Sequence, residues 1–159
     1  VIKTFKGLEH RLEFVRDMDG VKFYNDSFST TPETAIAAIK SFTEPEIIIL
    51  GGSEKGSDYM RLSHVIAKAT NIRAVLLIGV TAGQIEMALK QCLIGIIPKK
   101  GIILFNLGRG LSMDDILAKA NSLVKPGDVV LLSPACASYD MFKNYKDRGQ
   151  QFKDCVNQL

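Results

Sequence analysis

Three stretches of this sequence, residues 24–31, 51–58 and 133–140, contain more polar side chains than a chain turn requires. Each follows a short apolar run, and together they offer carboxylate, ammonium and hydroxyl groups as well as glycines. Proteins bind small charged ligands with these groups and with the backbone N–H groups that glycines leave accessible. We therefore expect the chemistry of this protein to lie in these three stretches.

The first stretch, YNDSFSTT, leads into an apolar pattern with helical spacing that begins at Pro32. Its Asp26 could orient a ribose or an ammonium group, and the N-terminus of the following helix could meet an anion. A simpler interpretation also stays open: Asp26 forms an Asx turn, and Thr30 or Thr31 caps the helix.

The second stretch, GGSEKGSD, has glycines that let backbone approach a ligand, and Lys55 adds a positive charge suited to a carboxylate. The pattern GxxxxGK[ST] is absent from this stretch and from the rest of the sequence, so no Walker A loop is predicted. A solvated turn between a strand and a helix is the competing interpretation.

The third stretch, SPACASYD, precedes a long helical pattern in which Ser138 could be the N-cap and offer its hydroxyl and N–H groups to a carboxylate. Tyr145 could line a pocket, whereas Phe142 and Phe152 have the spacing of core residues. We predict that Cys136 is a buried packing residue and not a nucleophile, because neither histidine of the chain has supporting context.

Composition excludes several classes of function. The chain has 20 Lys plus Arg against 17 Asp plus Glu, without a basic block, so no nucleic-acid partner is expected. No apolar run has the length of a membrane-spanning helix, and the 3 cysteines lack CxxC spacing, which favours the reducing cytoplasm. No metal-binding motif is present, and Asp114-Asp115 suits a helix start, so no metal site is predicted.

The elements that position these stretches alternate along the chain. A β-hairpin is predicted over 11–15 and 21–24; helices over 32–42, 58–70, 82–92, 112–124 and 138–157; and further strands over 46–50, 74–78, 101–105 and 128–132. This order predicts a single Rossmann-like α/β domain over 1–159: a mainly parallel sheet of about six strands, helices on both faces, and a preceding β-hairpin. Ligands bind at the carboxyl ends of such strands, where the three stretches lie.

Four sequence blocks agree with one family. They are GLEHRLEFV, FYNDSFSTTPETAIAAI, ILGGSEKGSDY and LLSPACASYDMFKNYKDRGQQF, and in this order they span nearly the whole chain. They resemble the C-terminal domain of Mur ligases, most closely the branch that adds D-glutamate to UDP-MurNAc-L-alanine. The resemblance implies an enzyme that uses ATP and Mg²⁺ to activate a carboxylate, which the amine of the incoming amino acid then attacks.

The resemblance also implies roles for individual residues. Thr30, Lys55, Ser138 and Tyr145 match positions that bind the amino acid, with Lys55 at the side chain of D-glutamate. Arg11, in the HR pair, and Asp26, in the NDS motif, match positions that the domain offers to the nucleotide. Where the family usually has lysine after NDS, this sequence has Phe28.

No catalytic residue is assigned within the chain, and the N-terminal and central ATPase domains of the family are expected elsewhere. The chain alone is therefore expected to be inactive, and a cytoplasmic monomer is predicted. Because the first residue is Val1, a longer parent protein is expected. Two alternatives stay open: a free-standing module that binds a small molecule, and the C-terminal domain of a folylpolyglutamate-synthase-like enzyme.

Overall fold

A computed structural model describes residues 7–94 and 101–159. Within these residues the strands are β1 Glu13–Met18, β2 Val21–Asn25, β3 Glu46–Gly51, β4 Ile72–Ile78, β5 Ile103–Gly108 and β6 Val129–Leu132. The helices are α1 Pro32–Ile39, α2 Met60–Lys68, α3 Ala82–Leu93, α4 Met113–Asn121 and α5 Tyr145–Gln158.

The strands form one 6-stranded sheet in the order β1-β2-β6-β3-β4-β5. Only β1 is antiparallel to its neighbour; the pairs β2–β6, β6–β3, β3–β4 and β4–β5 are parallel. The predicted α/β class and mainly parallel sheet are thus confirmed, and the predicted hairpin supplies the first two strands of that sheet. The last strand of the chain lies between β2 and β3, near the centre.

Both faces of the sheet are covered, as expected for parallel strands made of continuous apolar runs. Every residue of β3 is buried, and its side chains alternate between two hydrophobic clusters. Helices α1, α2 and α3 pack on one face through residues such as Ile36, Leu62 and Ile85. Helices α4 and α5 pack on the other through residues such as Ile116 and Phe152.

Most predicted elements are present with small differences at their ends. Arg11, predicted in the hairpin, lies in the turn before β1, where His10 and Leu12 have positive φ values of 63° and 44°. Helix α1 ends at Ile39 in place of the predicted residue 42, and α4 ends before the predicted residue 124. The strand predicted over 101–105 is shifted in the structure: β5 runs Ile103–Gly108, so it begins two residues later and ends three residues later than predicted.

The predicted start of the last helix at Ser138 is wrong. Helix α5 begins at Tyr145, and its N-cap is Asn144, whose side chain accepts hydrogen bonds from the N–H groups of Lys146 and Asp147 at 2.9 and 3.0 Å. The carbonyl of Ser138 instead closes a separate turn by accepting from the N–H groups of residues 141 and 142. Ser138 therefore lies in a loop and caps no helix.

Candidate functional site

The loops that follow β2, β3, β4 and β6 meet at one edge of the sheet, because these strands are neighbours and run in the same direction. All three polar stretches of the sequence lie there. The loop after β6, residues 133–144, contacts the other two: Ser53 and Ala137 form an isolated β-bridge, and Ser133 bonds the carboxylate of Asp26. The sequence-predicted residues are thus brought to one edge of the molecule.

Two concave regions open at this edge and share Arg11 and Phe28. The first has a volume of about 250 Å³ and is lined by Arg11, Leu12, Asp26, Phe28, Ser29, Thr34, Ala37, Ala38 and Ser41. The second has a volume of about 300 Å³ and is lined by Leu8, Glu9, His10, Arg11, Phe28, Tyr145 and Lys146. We call them the Asp26 cavity and the Tyr145 cavity.

Asp26 is buried and holds the start of the first loop in place. Its Oδ2 accepts a hydrogen bond from Ser133 Oγ at 2.6 Å, and its Oδ1 accepts from the N–H of Leu12 at 3.1 Å. Burial raises the pKa of the Asp26 carboxyl, although these hydrogen bonds and Arg11 favour the ionised form. The carboxylate therefore joins the strand ends and also lines the first cavity.

Arg11 is exposed and lines both cavities, so its guanidinium is accessible to an anion there. Thr30 is half-buried in the same loop and lines neither cavity. Thr31, and not Thr30, is the N-cap of α1. The structure thus brings Arg11 and Asp26 together and leaves Thr30 beside them.

Tyr145 and Phe28 form the aromatic wall of the Tyr145 cavity. Their ring centroids are 5.1 Å apart in an edge-to-face arrangement, and the ring of Tyr145 also meets the imidazole of His10 at 6.0 Å. Phe28 keeps 48% of its surface exposed. A large apolar side chain is therefore half exposed at the rim of this cavity.

Lys55 and Ser138 differ in their environments. Lys55 is solvent-exposed in the glycine-rich loop, as are its neighbours Glu54 and Gly56. Ser138 is only 1% exposed, and its hydroxyl has no hydrogen-bond partner within the described part of the chain. A buried hydroxyl without a partner is costly, so a ligand that bonds it would recover that cost.

Arg148 is a residue of the site that the sequence reasoning missed. It is fully buried, and its guanidinium donates to Ser27 Oγ and Ser27 O at 2.9 Å each, to Cys136 O at 3.0 Å and to Ala137 O at 3.3 Å. Burial lowers the pKa of Arg148 to about 10, which still leaves it charged at neutral pH. This side chain ties the loop after β2 to the loop after β6.

A spacing signal for Arg148 was present in the sequence. Arg148, Phe152 and Val156 recur every four residues on the buried face of α5. An arginine in such an apolar stripe is buried, and a buried arginine needs several oxygen acceptors around it. His10 was also missed; it is buried against Asn25, whose Nδ2 lies 2.9 Å from His10 Nδ1, and burial lowers the pKa of the imidazole.

Cys136 is a packing residue, as predicted. Its Sγ lies 3.2 Å from the hydroxyl of Tyr59 and 3.3 Å from Thr81 Oγ1, and it is 2% exposed. Burial raises the pKa of the thiol, which disfavours the thiolate that a nucleophile requires. Phe152 belongs to the core, and Phe142 packs against it partly buried.

Among residues 7–94 and 101–159, no three His, Cys, Asp or Glu side chains are grouped so that they could hold a metal ion. In the same ranges, every helix is too short or too polar to cross a bilayer. The predicted absence of a metal site stays a prediction.

Comparison with known proteins identifies relatives over the whole chain. A family model described as Mur ligase, glutamate ligase domain, matches residues 10–136. The UDP-N-acetylmuramoylalanine–D-glutamate ligase of Caldanaerobacter subterraneus is 42% identical over 99% of this chain and 33% of that enzyme. The enzyme of the same name from Clostridium perfringens is 40% identical over 100% of this chain and 33% of its own length. The chain thus spans about a third of these relatives.

Solved structures share the fold at low sequence identity. A murein peptide ligase from Psychrobacter arcticus superposes with a TM-score of 0.61 at 14% identity, over 99% of this chain and 32% of that one. The MurF ligase of Thermotoga maritima, solved in complex with ADP, gives a TM-score of 0.55 at 18% identity, over 98% of this chain and 33% of its own.

Proposed function

Because this chain belongs to the Mur ligase family and matches its glutamate ligase domain, we propose that it is the amino-acid-delivering domain of a peptidoglycan-precursor ligase. That enzyme would add D-glutamate to UDP-MurNAc-L-alanine, the reaction class named for relatives 42% and 40% identical to this chain. The structural observation that carries the proposal is the buried hydroxyl of Ser138, which has no hydrogen-bond partner among residues 7–94 and 101–159 and lies in a loop bonded to the one that bears Lys55.

D-Glutamate presents two carboxylates and one amine, and the site offers donors for the carboxylates. Lys55 supplies a positive charge for the side-chain carboxylate, and the hydroxyls of Ser138 and Thr30 supply donors. Tyr145 would form an apolar wall that excludes water from one side of the ligand. Held in this way, the amine would be presented to an activated carboxylate in a fixed orientation, which is a large part of the rate gain available to a two-substrate reaction.

The nucleotide would contact this domain at the Asp26 cavity. Arg11 offers an exposed guanidinium for a phosphate, and Asp26 offers carboxylate oxygens for ribose hydroxyls. The cavity of about 250 Å³ is smaller than the roughly 300–1,000 Å³ of a pocket for a whole ligand, so it would hold part of the nucleotide. When bound, ATP with Mg²⁺ supplies the phosphoryl group that activates the acceptor carboxylate.

The remaining parts of the reaction would be supplied outside this chain. The chain spans about a third of its relatives, so the UDP-binding and ATPase domains would lie elsewhere in the parent protein. We infer that the 159 residues alone are catalytically inactive, and that the parent is a cytoplasmic monomer.

Site variants of the complete ligase test this proposal. Ser138→Ala and Lys55→Met should each raise the KM for D-glutamate by about tenfold or more, because a hydrogen bond to a charged group contributes about 1.5–3 kcal/mol. The KM for ATP should change little. Coupled measurement of ADP release with each substrate varied in turn gives both values.

Two exposed residues distant from the site provide matched controls. Ser122 is the C-cap of α4, where its hydroxyl donates to Lys119 O, and Lys68 lies in the last turn of α2. Ser122→Ala and Lys68→Met should leave both KM values unchanged. If Ser138→Ala and Lys55→Met also leave the KM for D-glutamate unchanged, the assigned amino-acid site is wrong. Tight binding of D-glutamate by the isolated chain would instead favour a free-standing binding module.

A further inference from the structure

We propose that Asp140 is a positioning residue that fixes the Ser138 turn against the loop of Lys55, and thereby sets the affinity for the amino acid. This inference rests on the proposed function. Asp140 touches no ligand in this assignment and acts through the loops that it joins. No role was predicted for it from the sequence.

Asp140 joins three loops that are distant in the sequence. Its backbone N–H donates to Ser53 Oγ at 2.9 Å, and its Oδ1 accepts from the same hydroxyl at 3.2 Å. Its Oδ2 accepts from the backbone N–H of Val80 at 2.9 Å. One side chain therefore connects the loop after β6 with the loops after β3 and β4.

The backbone around Asp140 leaves it little freedom. A Cβ on Gly79, which has a positive φ of 75°, would collide with Asp140 Oδ2 and with the backbone of Gly52. Ser53 also donates its backbone N–H to Ala137 O at 2.8 Å, beside the hydroxyl contact. The carboxylate thus sits in a tight junction of three chain segments, where a small displacement would move all of them.

Ser138 gains its orientation from this junction. It is two residues before Asp140, and its carbonyl accepts from the N–H groups of Met141 and Phe142 at 3.2 and 2.8 Å. The hydroxyl of Ser138 has no partner among the residues that the structure describes, so its position depends on the turn that contains it. Since Asp140 anchors this turn to the Lys55 loop, it sets the separation between the two groups assigned to the carboxylates of the amino acid.

A carboxylate suits this junction better than an amide. Both of its oxygens accept hydrogen bonds, one from a hydroxyl and one from a backbone N–H. In Asp140→Asn the amide oxygen can still accept from the Val80 N–H, but the NH₂ group can only donate to Ser53 Oγ, so the hydroxyl proton of Ser53 loses its acceptor. Asp140→Ala would remove both side-chain bonds.

Kinetics of the complete ligase test the inference. Asp140→Ala should raise the KM for D-glutamate by about 10-fold or more, because displaced donors weaken the hydrogen bonds to its carboxylates, and each such bond to a charged group accounts for about tenfold or more in affinity. Asp140→Asn should give a smaller rise, and kcat and the KM for ATP should stay within about threefold. Ser53→Ala should raise the same KM, and the rise in the double variant should be smaller than the product of the two single rises, because both changes remove the bond between the Ser53 hydroxyl and the Asp140 carboxylate.

The control is Asp154→Asn, at an exposed aspartate on α5 whose carboxylate accepts from Gln150, and it should leave all constants unchanged. An unchanged KM for D-glutamate in Asp140→Ala would overturn the inference, as would equal changes for both substrates. If Asp140→Ala melts below the assay temperature, the KM of Ser53→Ala decides, because that variant loses only a hydroxyl.

A second measurement separates this inference from the proposed function. Val80 is 43% exposed, so protection of its amide depends on the bond to Asp140. Hydrogen exchange on the chain itself should show faster exchange of the Val80 amide in Asp140→Ala, and an unchanged rate would contradict the junction. Absence of D-glutamate-dependent ADP release by the wild-type ligase would refute the proposed function. The exchange rate of the Val80 amide would still test, independently, whether Asp140 holds the three loops together.

Discussion

Glu46 is a buried carboxyl that should make the stability of this domain depend on pH. It opens β3 and pairs with Ile72 on one side and Val129 on the other. Its side chain is fully buried, and both carboxyl oxygens lack a hydrogen-bond partner within the described residues. Burial raises the pKa of Glu46 from 4.5 to about 8, because the ionised form would lose its hydration. The folded protein therefore keeps this carboxyl protonated at neutral pH.

The sign of the effect follows from proton binding. Between pH 4.5 and about 8 the folded chain holds a proton on Glu46 that the unfolded chain has released. The contribution of Glu46 to the free energy of unfolding is thus largest below pH 4.5, its pKa in the unfolded chain. It falls as the pH rises toward about 8, the pKa in the folded chain, and levels off above that value. Each pH unit contributes about 1.4 kcal/mol, so the full interval corresponds to roughly 4 to 5 kcal/mol as an upper bound.

Glu46→Gln isolates this contribution, because glutamine has nearly the same shape as the neutral carboxyl and cannot ionise. At about pH 5 the two proteins should have similar free energies of unfolding. At about pH 8 the variant should be more stable by several kcal/mol, on the order of 2 to 4. Urea unfolding at a series of pH values, with the slope m checked for constancy, measures the difference.

Glu44→Gln is the matched control. Glu44 lies two residues before Glu46, but its side chain is 40% exposed and close to Lys22, and its pKa is lowered and not raised. Its substitution should change the free energy of unfolding by no more than about 0.5 kcal/mol at any pH. If Glu46→Gln and the wild type lose stability in parallel between pH 5 and 8, Glu46 is not the group responsible.

Two further predictions concern stability and can be measured by the same unfolding experiment. Gly149→Ala should destabilise the domain although alanine favours helices, because the added Cβ would collide with His10 Nδ1; Gly83→Ala, with open space around it in α3, should stabilise by about 0.5–1 kcal/mol. A change of the same sign in the free energy of unfolding for both variants would refute the steric argument. Arg148→Met should lower the free energy of unfolding by about 3–5 kcal/mol, because it leaves buried oxygens unpaired. Arg61→Met, at an exposed arginine, should lower it by less than about 0.5 kcal/mol. A small loss for Arg148→Met would contradict the conclusion that Arg148 ties the two loops together.

The sheet could be predicted from the sequence because its signals are local. The apolar run at β3 has no polar residue after Glu46, and it ends at glycines, so its extent was predicted to within one residue. The start of α5 could not be predicted in this way. Ser138 and Asn144 are both good N-caps, and the bonds that decide between them come from Ser53 and Val80, which are remote in the sequence.

The site was predicted less completely for a related reason. Arg11, Asp26 and Tyr145 were predicted because their residue types and the family resemblance point to ligands; the structure places them around two adjoining cavities, and their binding roles stay predictions. Arg148 was missed because a charged residue is expected on the solvent-exposed surface unless buried partners for it are known. Its partners are mostly backbone carbonyls, which every sequence possesses and no motif records.

The position of β6 between β2 and β3 also has a consequence for how the chain matures during synthesis. A nascent chain that has not reached Val129 can form the β1–β2 hairpin and the three strands β3, β4 and β5. Because β6 is missing, the edges of β2 and β3 are exposed and the two parts are not paired. Pairing across such sequence separations closes large loops, so it is slow and leaves strand edges open to other chains. The four residues of β6 complete the sheet, and the loop that follows them brings the three polar stretches together. On the ribosome, this domain would acquire its shape and its site in one late step.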